Sequence, residues 1–133
     1  MIKNIAHLCL AVENLQVMED FYTKTLGLGK AFDFVNKEGR RFGCYVKVGN
    51  RTFIEMFEGK NPEEKVNASY RHICLEVDDV AKSVGEIRAR GGKISDPELG
   101  ADNSWQAWIA DPEGNAIELH GYTPESWQAP HLG

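Results

Sequence analysis

The chain repeats itself, and the repeat falls on residues that carry chemistry. His7-Leu-Cys-Leu-Ala-Val-Glu-Asn-Leu15 is nearly matched, 65 positions on, by His72-Ile-Cys-Leu-Glu-Val-Asp-Asp-Val80. Downstream, Phe53-Ile-Glu-Met-Phe57 is echoed 63 positions on by Ala116-Ile-Glu-Leu-His120, which sets Glu55 against Glu118. A duplication of this kind folds as two copies of one supersecondary unit. A pseudo-twofold arrangement of the copies brings two His and two Glu to equivalent points, the convergence that a metal site needs.

Each half reads as strand, helix, then strands. Ile5–Val12 is a β-rich run, Asn14 is placed to cap a helix, and Leu15, Met18, Phe21, Tyr22 and Leu26 recur at helical spacing before Gly27. In the second half Ile73–Val77 is the strand and Asp79 the cap. There Val80, Val84 and Ile87 form the apolar stripe, and Gly91-Gly92 ends the helix. Gly43–Val48 and Arg51–Phe57 flank the turn dipeptide Gly49-Asn50, while Trp105–Ala110 and Asn115–Gly121 flank Asp111-Pro112-Glu113-Gly114. The segments near Phe32–Val35 and Lys93–Ile94 supply the remaining strands. The expected fold class is therefore α+β, with two tandem βαβββ modules whose sheets form a metal-binding cleft or half-barrel. One domain spans 1–133: a first module over 1–60, a polar linker over 61–69, a second module over 70–121 and a tail over 122–133.

Strand parity places the side chains, because successive residues point to opposite faces. His7, Cys9 and Ala11 share one face, leaving Leu8, Leu10 and Val12 to pack on the helix; His72, Cys74 and Glu76 behave alike. Phe53, Glu55 and Phe57 share a face, as do Ala116, Glu118 and His120. A two-residue loop at Gly49-Asn50 pairs positions summing to 99, which sets Cys44 opposite Glu55. By the same parity Arg51 lies on the face of Glu55, Trp105 walls the pocket and Trp108 lies on the other face.

Composition narrows the class of function. With 133 residues and 42% hydrophobic content the chain can bury a real core. Three cysteines make an odd count without a disulfide framework, and Met1-Ile-Lys-Asn-Ile5 lacks the apolar run of a signal peptide, so a reduced, cytoplasmic protein is expected. Twenty acidic against 15 basic residues give a net charge of −5 with no basic stripe, which argues against nucleic acid. No apolar stretch approaches the roughly 18 residues of a membrane span.

Two neutral imidazoles and two carboxylates make a charge-neutral site for a divalent ion. Mixed N/O ligation suits nickel, cobalt, manganese, iron or zinc better than calcium. His7, Glu55, His72 and Glu118 are the candidate metal ligands. Four protein ligands on an octahedral ion leave two positions for substrate oxygens, with one Glu working as the base. His120, two residues beyond Glu118 on its face, is a candidate to orient substrate or shuttle a proton, the other reading being a polar rim residue. Cys9, Cys44 and Cys74 read as packing rather than as nucleophiles. Phe53 and Phe57 are pocket walls or core, and the tail from Tyr122 either covers a dimer partner or frays.

At these residues the chain resembles the vicinal oxygen chelate superfamily, the group of glyoxalase I, methylmalonyl-CoA epimerase, extradiol dioxygenases and fosfomycin-resistance enzymes. The most specific parts are His7-Leu-Cys-Leu with the helix holding Phe21-Tyr22-Thr-Lys-Thr-Leu-Gly27, then His72-Ile-Cys-Leu-Glu-Val, then Asp111-Pro-Glu-Gly-Asn-Ala-Ile-Glu-Leu119. The resemblance implies paired βαβββ modules closing around a divalent metal, often across a homodimer. His7, Glu55, His72 and Glu118 match the His, Glu, His, Glu ligands of bacterial glyoxalase I, in which the Glu ligands also act as acid and base. Glu118 and Glu55 inherit that catalytic role.

The departures shape the expected activity. Where bacterial glyoxalase I has an arginine four residues after the first His to hold glutathione, this chain has Ala11; where it has an asparagine four residues after the first Glu, this chain has Gly59. The epimerase usually offers Gln where Glu55 stands. Extradiol dioxygenases use two His and one Glu and commonly span more modules. Fosfomycin enzymes share the Glu-Leu-His ending of Glu118-Leu-His120 but lack a metal Glu in the first half. The expected function is a glyoxalase-like lyase or isomerase acting on a small α-hydroxycarbonyl or related oxygenated substrate, independent of glutathione. The alternatives are an epimerase, a fosfomycin-type transferase, and a non-catalytic protein that sequesters a small molecule.

Overall fold

The computed structural model describes Met1 and residues 5–59 and 72–133. The segment read as a linker, 61–69, lies outside the described residues. The chain divides into two compact units, Met1–Val66 and Asn67–Gly133.

The first unit runs β1 (His7–Val12), α1 (Leu15–Asp20), a π-helical turn (Phe21–Thr25), β2 (Gly29–Val35), β3 (Arg41–Lys47) and β4 (Phe53–Glu58). The second runs β5 (Ile73–Glu76), α2 (Val80–Ala89), β6 (Glu98–Leu99), β7 (Trp105–Ala110) and β8 (Ala116–Gly121), followed by a 3₁₀ turn at Ala129–His131. Each unit builds one four-stranded mixed sheet, ordered β1-β4-β3-β2 and β5-β8-β7-β6. The first strand of each unit pairs in parallel with the last, and the remaining pairs are antiparallel. The α+β class and the two tandem βαβββ modules agree with the sequence reading, and neither sheet closes into a barrel.

Both helices start as the sequence predicts. The Asn14 side chain accepts from the Val17 N–H at 3.1 Å and the Asp79 side chain from Lys82 N–H at 3.0 Å; such caps contribute about 1 kcal/mol each. Both helical segments also stop alike, at Gly27 (φ 78°) and Gly91 (φ 86°), in the left-handed conformation that side chains resist. Between these ends the helical turns cover one face of each sheet. In the first unit Val12, Leu15, Met18, Tyr22, Cys44, Val46, Ile54 and Met56 are buried there; in the second Val80, Val84, Ile87, Ile94, Ala107, Ile109, Ile117 and Leu119 are. One equivalent position differs in kind. Where α2 buries Val84, α1 carries Glu19, which is 7% exposed and pairs with Arg41 and, at 3.1 Å, with Lys30.

Three expectations are corrected by the strands. The fourth strand of the second unit is Glu98–Leu99, not Lys93–Ile94: Ile94 is drawn into the core, and the chain reaches the edge of β7 only afterwards. The first hairpin is one residue out of the expected register. The last strand pair is Lys47 with Phe53, so five residues lie between the strands, Val48 N–H donating to Thr52 C=O at 2.9 Å within them, and the paired positions sum to 100, as in Tyr45 with Glu55. Because strand side chains alternate, this single step exchanges the two faces of β3. Cys44 therefore pairs with Met56 and is fully buried against the helix, and Tyr45 takes the place beside Glu55. Arg51 falls in the loop, exposed and outside β4.

The tail of the second unit is held by specific bonds rather than frayed. Trp127 N–H donates to Asp102 C=O at 3.0 Å, the Gln128 amide to the Asp102 carboxylate at 2.7 Å, and buried Ser126 meets Ser104 at 2.8 Å.

Candidate metal and active site

The sheet faces turned away from the helices carry the candidate residues. On the first sheet β1 presents His7, Cys9 and Ala11, β3 presents Tyr45, and β4 presents Phe53, Glu55 and Phe57, as the alternating burial of β1 and β4 requires. His7 Nε2 lies 3.7 Å from Glu55 Oε1, and His7 Nδ1 hydrogen-bonds the Tyr45 hydroxyl at 3.2 Å. Tyr45 thus fixes the ring whose other nitrogen faces the carboxylate. Around it stands an aromatic group: Phe32 and Phe53 stack on Tyr45, each with centroids 4.8 Å away, and Phe34 continues to Phe57 at 4.8 Å. Phe57 comes this close to the backbone because its partner on β3 is Gly43, where a Cβ would meet Phe57 Cδ1 at 2.5 Å and Met56 O at 2.7 Å.

The second sheet repeats the arrangement with sharper contacts. His72 Nε2 lies 3.1 Å from Glu118 Oε2, and His120 Nδ1–H donates to Glu118 Oε1 at 3.0 Å. Glu118 and His120 are 9% and 8% exposed, so a carboxylate is held almost out of water between two imidazoles. Cys74 is the register partner of Glu118 on β5, as Cys9 is of Glu55 on β1. Trp108 stands opposite Glu118 and its ring meets His72 edge-on at 4.8 Å, in the place that Tyr45 holds against His7.

Trp108, not Trp105, is therefore the tryptophan on the site face. Trp105 pairs with Gly121, whose absent Cβ would press on Val80 of α2, and so belongs to the helix side of the sheet. Phe53 and Phe57 line the site face rather than the core, and His120 is drawn in beside Glu118 rather than left at a rim. Sequence reasoning missed Tyr45 and the pairing role of Trp108. The repeat contains the signal: moving the Asp111–Asn115 loop back by the 63-residue offset predicts a five-residue loop over 48–52 and hence Tyr45 beside Glu55.

The chain itself sets the state of its thiols. Cys74 is partly open to solvent, yet desolvation by its neighbours, reinforced by the Glu118 carboxylate, pushes its pKa up to about 12. Cys9 is raised for the same reasons, desolvation first and then Glu55. Since the thiolate is the reactive form, metal-free protein at about pH 8 is expected to take iodoacetamide at Cys74 far more slowly than free cysteine, the rate climbing until about pH 12. Peptide mass spectrometry over a pH series reads this directly; fast labelling of Cys74 near neutrality would contradict it.

Against this geometry stand the comparisons with known proteins. The family model described as Glyoxalase/Bleomycin resistance protein/Dioxygenase superfamily matches residues 4–119. The chain belongs to that superfamily. Among its glyoxalase-superfamily relatives, the lactoylglutathione lyase of Escherichia coli O157:H7 is 32% identical over 122 residues, covering 86% of this chain and 90% of the relative. The mitochondrial methylmalonyl-CoA epimerase of Dictyostelium discoideum is 31% identical over 107 residues, 72% of this chain and 62% of its own length. Of solved structures, an antibiotic binding protein from Streptomyces sp. CB03234 shares the fold with a TM-score of 0.74 at 24% identity, over 92% of this chain and 98% of that one. Proteins named as a lyase and an epimerase are thus its relatives, and one named as an antibiotic binding protein shares its fold; among the described residues of this chain no helix is long and apolar enough to cross a membrane.

Proposed function

We propose that this glyoxalase-superfamily protein is a metal-dependent lyase or isomerase that moves a proton on a small α-hydroxycarbonyl or related oxygenated substrate, without glutathione. The observation that carries this reading is Glu118: a nearly buried carboxylate with one oxygen held by His120 at 3.0 Å and the other 3.1 Å from His72. Surface carboxylates are not kept this way, and a base that must act in a dry site is.

His7, Glu55, His72 and Glu118 would hold the divalent ion. The donors fit: each unit brings an imidazole nitrogen and a carboxylate oxygen to within 3.7 Å or 3.1 Å, and two neutral imidazoles with two carboxylates balance a charge of +2. Nickel, zinc, cobalt, manganese and iron all accept such a set, and when bound they supply Lewis acidity toward a substrate oxygen. Glu118 takes the proton beside the carbonyl, the His120 Nδ1–H keeps its carboxylate oriented, and Glu55 is the second acid/base group. The first sheet's aromatic face gives the substrate an apolar wall, and Ala11 and Gly59 offer no charged grip for a glutathione carboxylate.

A second reading is favoured by one observation. The Phe32, Tyr45 and Phe53 stack ends in the exposed Phe32 ring, a face on which a planar ligand lies without reacting, which suits a sequestering protein. Elemental analysis of protein purified without added metal, followed by α-hydroxycarbonyl substrates with and without glutathione, separates the readings: bound metal with substrate-dependent proton exchange supports the enzyme, and tight ligand binding without exchange replaces it with sequestration. The three free thiols suit a reducing, cytoplasmic setting. The two modules act as one domain in a homodimer, and light scattering at micromolar concentration is expected to give twice the chain mass; a metal-loaded monomer would reject the dimer.

A further inference from the structure

Beyond the His and Glu pairs, the second unit holds a group that its twin lacks among the described residues. Cys74, Glu118 and His120 each offer a ligand atom, and these atoms all lie within 4.8 Å of one another. The placement follows from the sheet: Cys74 is the parallel register partner of Glu118, and His120 sits two residues on, on the same face of β8. In the first unit Cys9 and Glu55 repeat the first two members, but the position of His120 is taken by Phe57, turned into the aromatic group. The duplication supplied the strand-start histidine, the thiol and the carboxylate twice, and the histidine two residues beyond the carboxylate only once.

We propose that Cys74, Glu118 and His120 form a second, thiolate-containing metal site within unit Asn67–Gly133, selective for thiophilic divalent ions such as zinc, cobalt or cadmium. Sulfur, imidazole and carboxylate donors together suit these ions, whereas magnesium and calcium want oxygen alone. Three protein ligands leave a fourth, open position in a tetrahedral site. A bound ion expels the thiol proton to solvent, so that one thiolate and one carboxylate balance its charge. His7 and Glu55 take no part. Glu118 is shared with the four-ligand set, so occupation of this site in place of that one withdraws Glu118 from it.

Cobalt titration of the full chain tests the proposal by absorption rather than by activity. The expected result is a sulfur-to-cobalt charge-transfer band in the near ultraviolet at one equivalent, retained in Cys9→Ser and in Glu55→Gln and lost in Cys74→Ser. Losing the sulfur ligand should weaken cobalt binding at least about tenfold, since even outer partners of metal ligands cost about 10–100-fold. Cobalt binding without a sulfur band, no cobalt binding, or a band that survives Cys74→Ser overturns it. As a second measurement, zinc should displace cobalt and abolish the sulfur band while magnesium leaves it unchanged; a band that excess zinc does not reduce, or that magnesium removes, also overturns it. Failure here is distinct from failure of the four-ligand reading, which is lost if the paired substitution His7→Ala with Glu55→Gln leaves metal content and substrate-dependent proton exchange unchanged.

Discussion

Glu118→Gln is expected to lower turnover by about 10²–10⁴-fold, the usual loss when a general base is removed. The amide keeps an oxygen that can coordinate but cannot accept a proton at neutral pH, so kcat should fall while the fold and much of the metal content remain. The local structure supports that separation. Glu118 is flanked by Ile117 and Leu119 in the core, and a side chain of the same length disturbs neither. His120 Nδ1–H loses an ionic acceptor and keeps a neutral one. Circular dichroism, metal analysis and initial rates on one preparation distinguish the outcomes: an unimpaired variant would move the base to Glu55 or His120, and an unfolded one would show as lost ellipticity. In the native protein, turnover of the glutathione hemithioacetal of methylglyoxal should be weak or absent, and efficient glutathione-dependent turnover would refute the substrate class.

Ile54→Ala should destabilise the first unit by about 2–5 kcal/mol, the range for truncating a large aliphatic in a packed core. Ile54 is wholly buried on β4, between Phe53 and Glu55, and pairs with Leu8 on one side and Val46 on the other. Against a total stability of about 5–15 kcal/mol for a domain, this is enough to move the urea midpoint well down at an unchanged slope. The same substitution loosens the strand that carries Glu55, so metal affinity should fall with stability. A midpoint shift worth less than about 1 kcal/mol would mean that the sheet and helix relax into the space.

The features legible in the sequence and those hidden from it divide by physical cause. The modules, the caps Asn14 and Asp79 and the outward face of His7, Glu55, His72 and Glu118 came from repetition and from period-two alternation, both of which are local and strict. The register of β3 did not, because loop length alone decides which side of the strand faces the site, and Gly49-Asn50 is also at home in a longer loop. One residue of error put Cys44 in the site and hid Tyr45. Trp105 and Trp108 were exchanged by the same kind of parity slip, and β6 was misplaced because Ile94 was needed in the core. The Glu19, Arg41 and Lys30 group left no sequence pattern at all, since its partners come from three separate elements.

The central strands β4 and β8 have an effect on the order in which each site assembles and comes apart. Glu55 meets Tyr45 across a hairpin, ten residues away, but the β1 strand that carries His7 reaches β4 only by closing a chain of more than 40 residues, as Cys9 does in pairing with Glu55. Closing a longer loop costs more entropy. The hairpin half of each site therefore forms cheaply and the histidine half late. Since β1 and β5 are also outer strands of their sheets, as β2 and β6 are, each is held by a single neighbouring strand and can peel away under mild denaturation while the hairpin strands stay paired. A ligand set that spans this seam is dismantled while most of the sheet still stands, so function should be lost before structure, and whatever binds across the seam acts as the clasp that holds the edge strand in place.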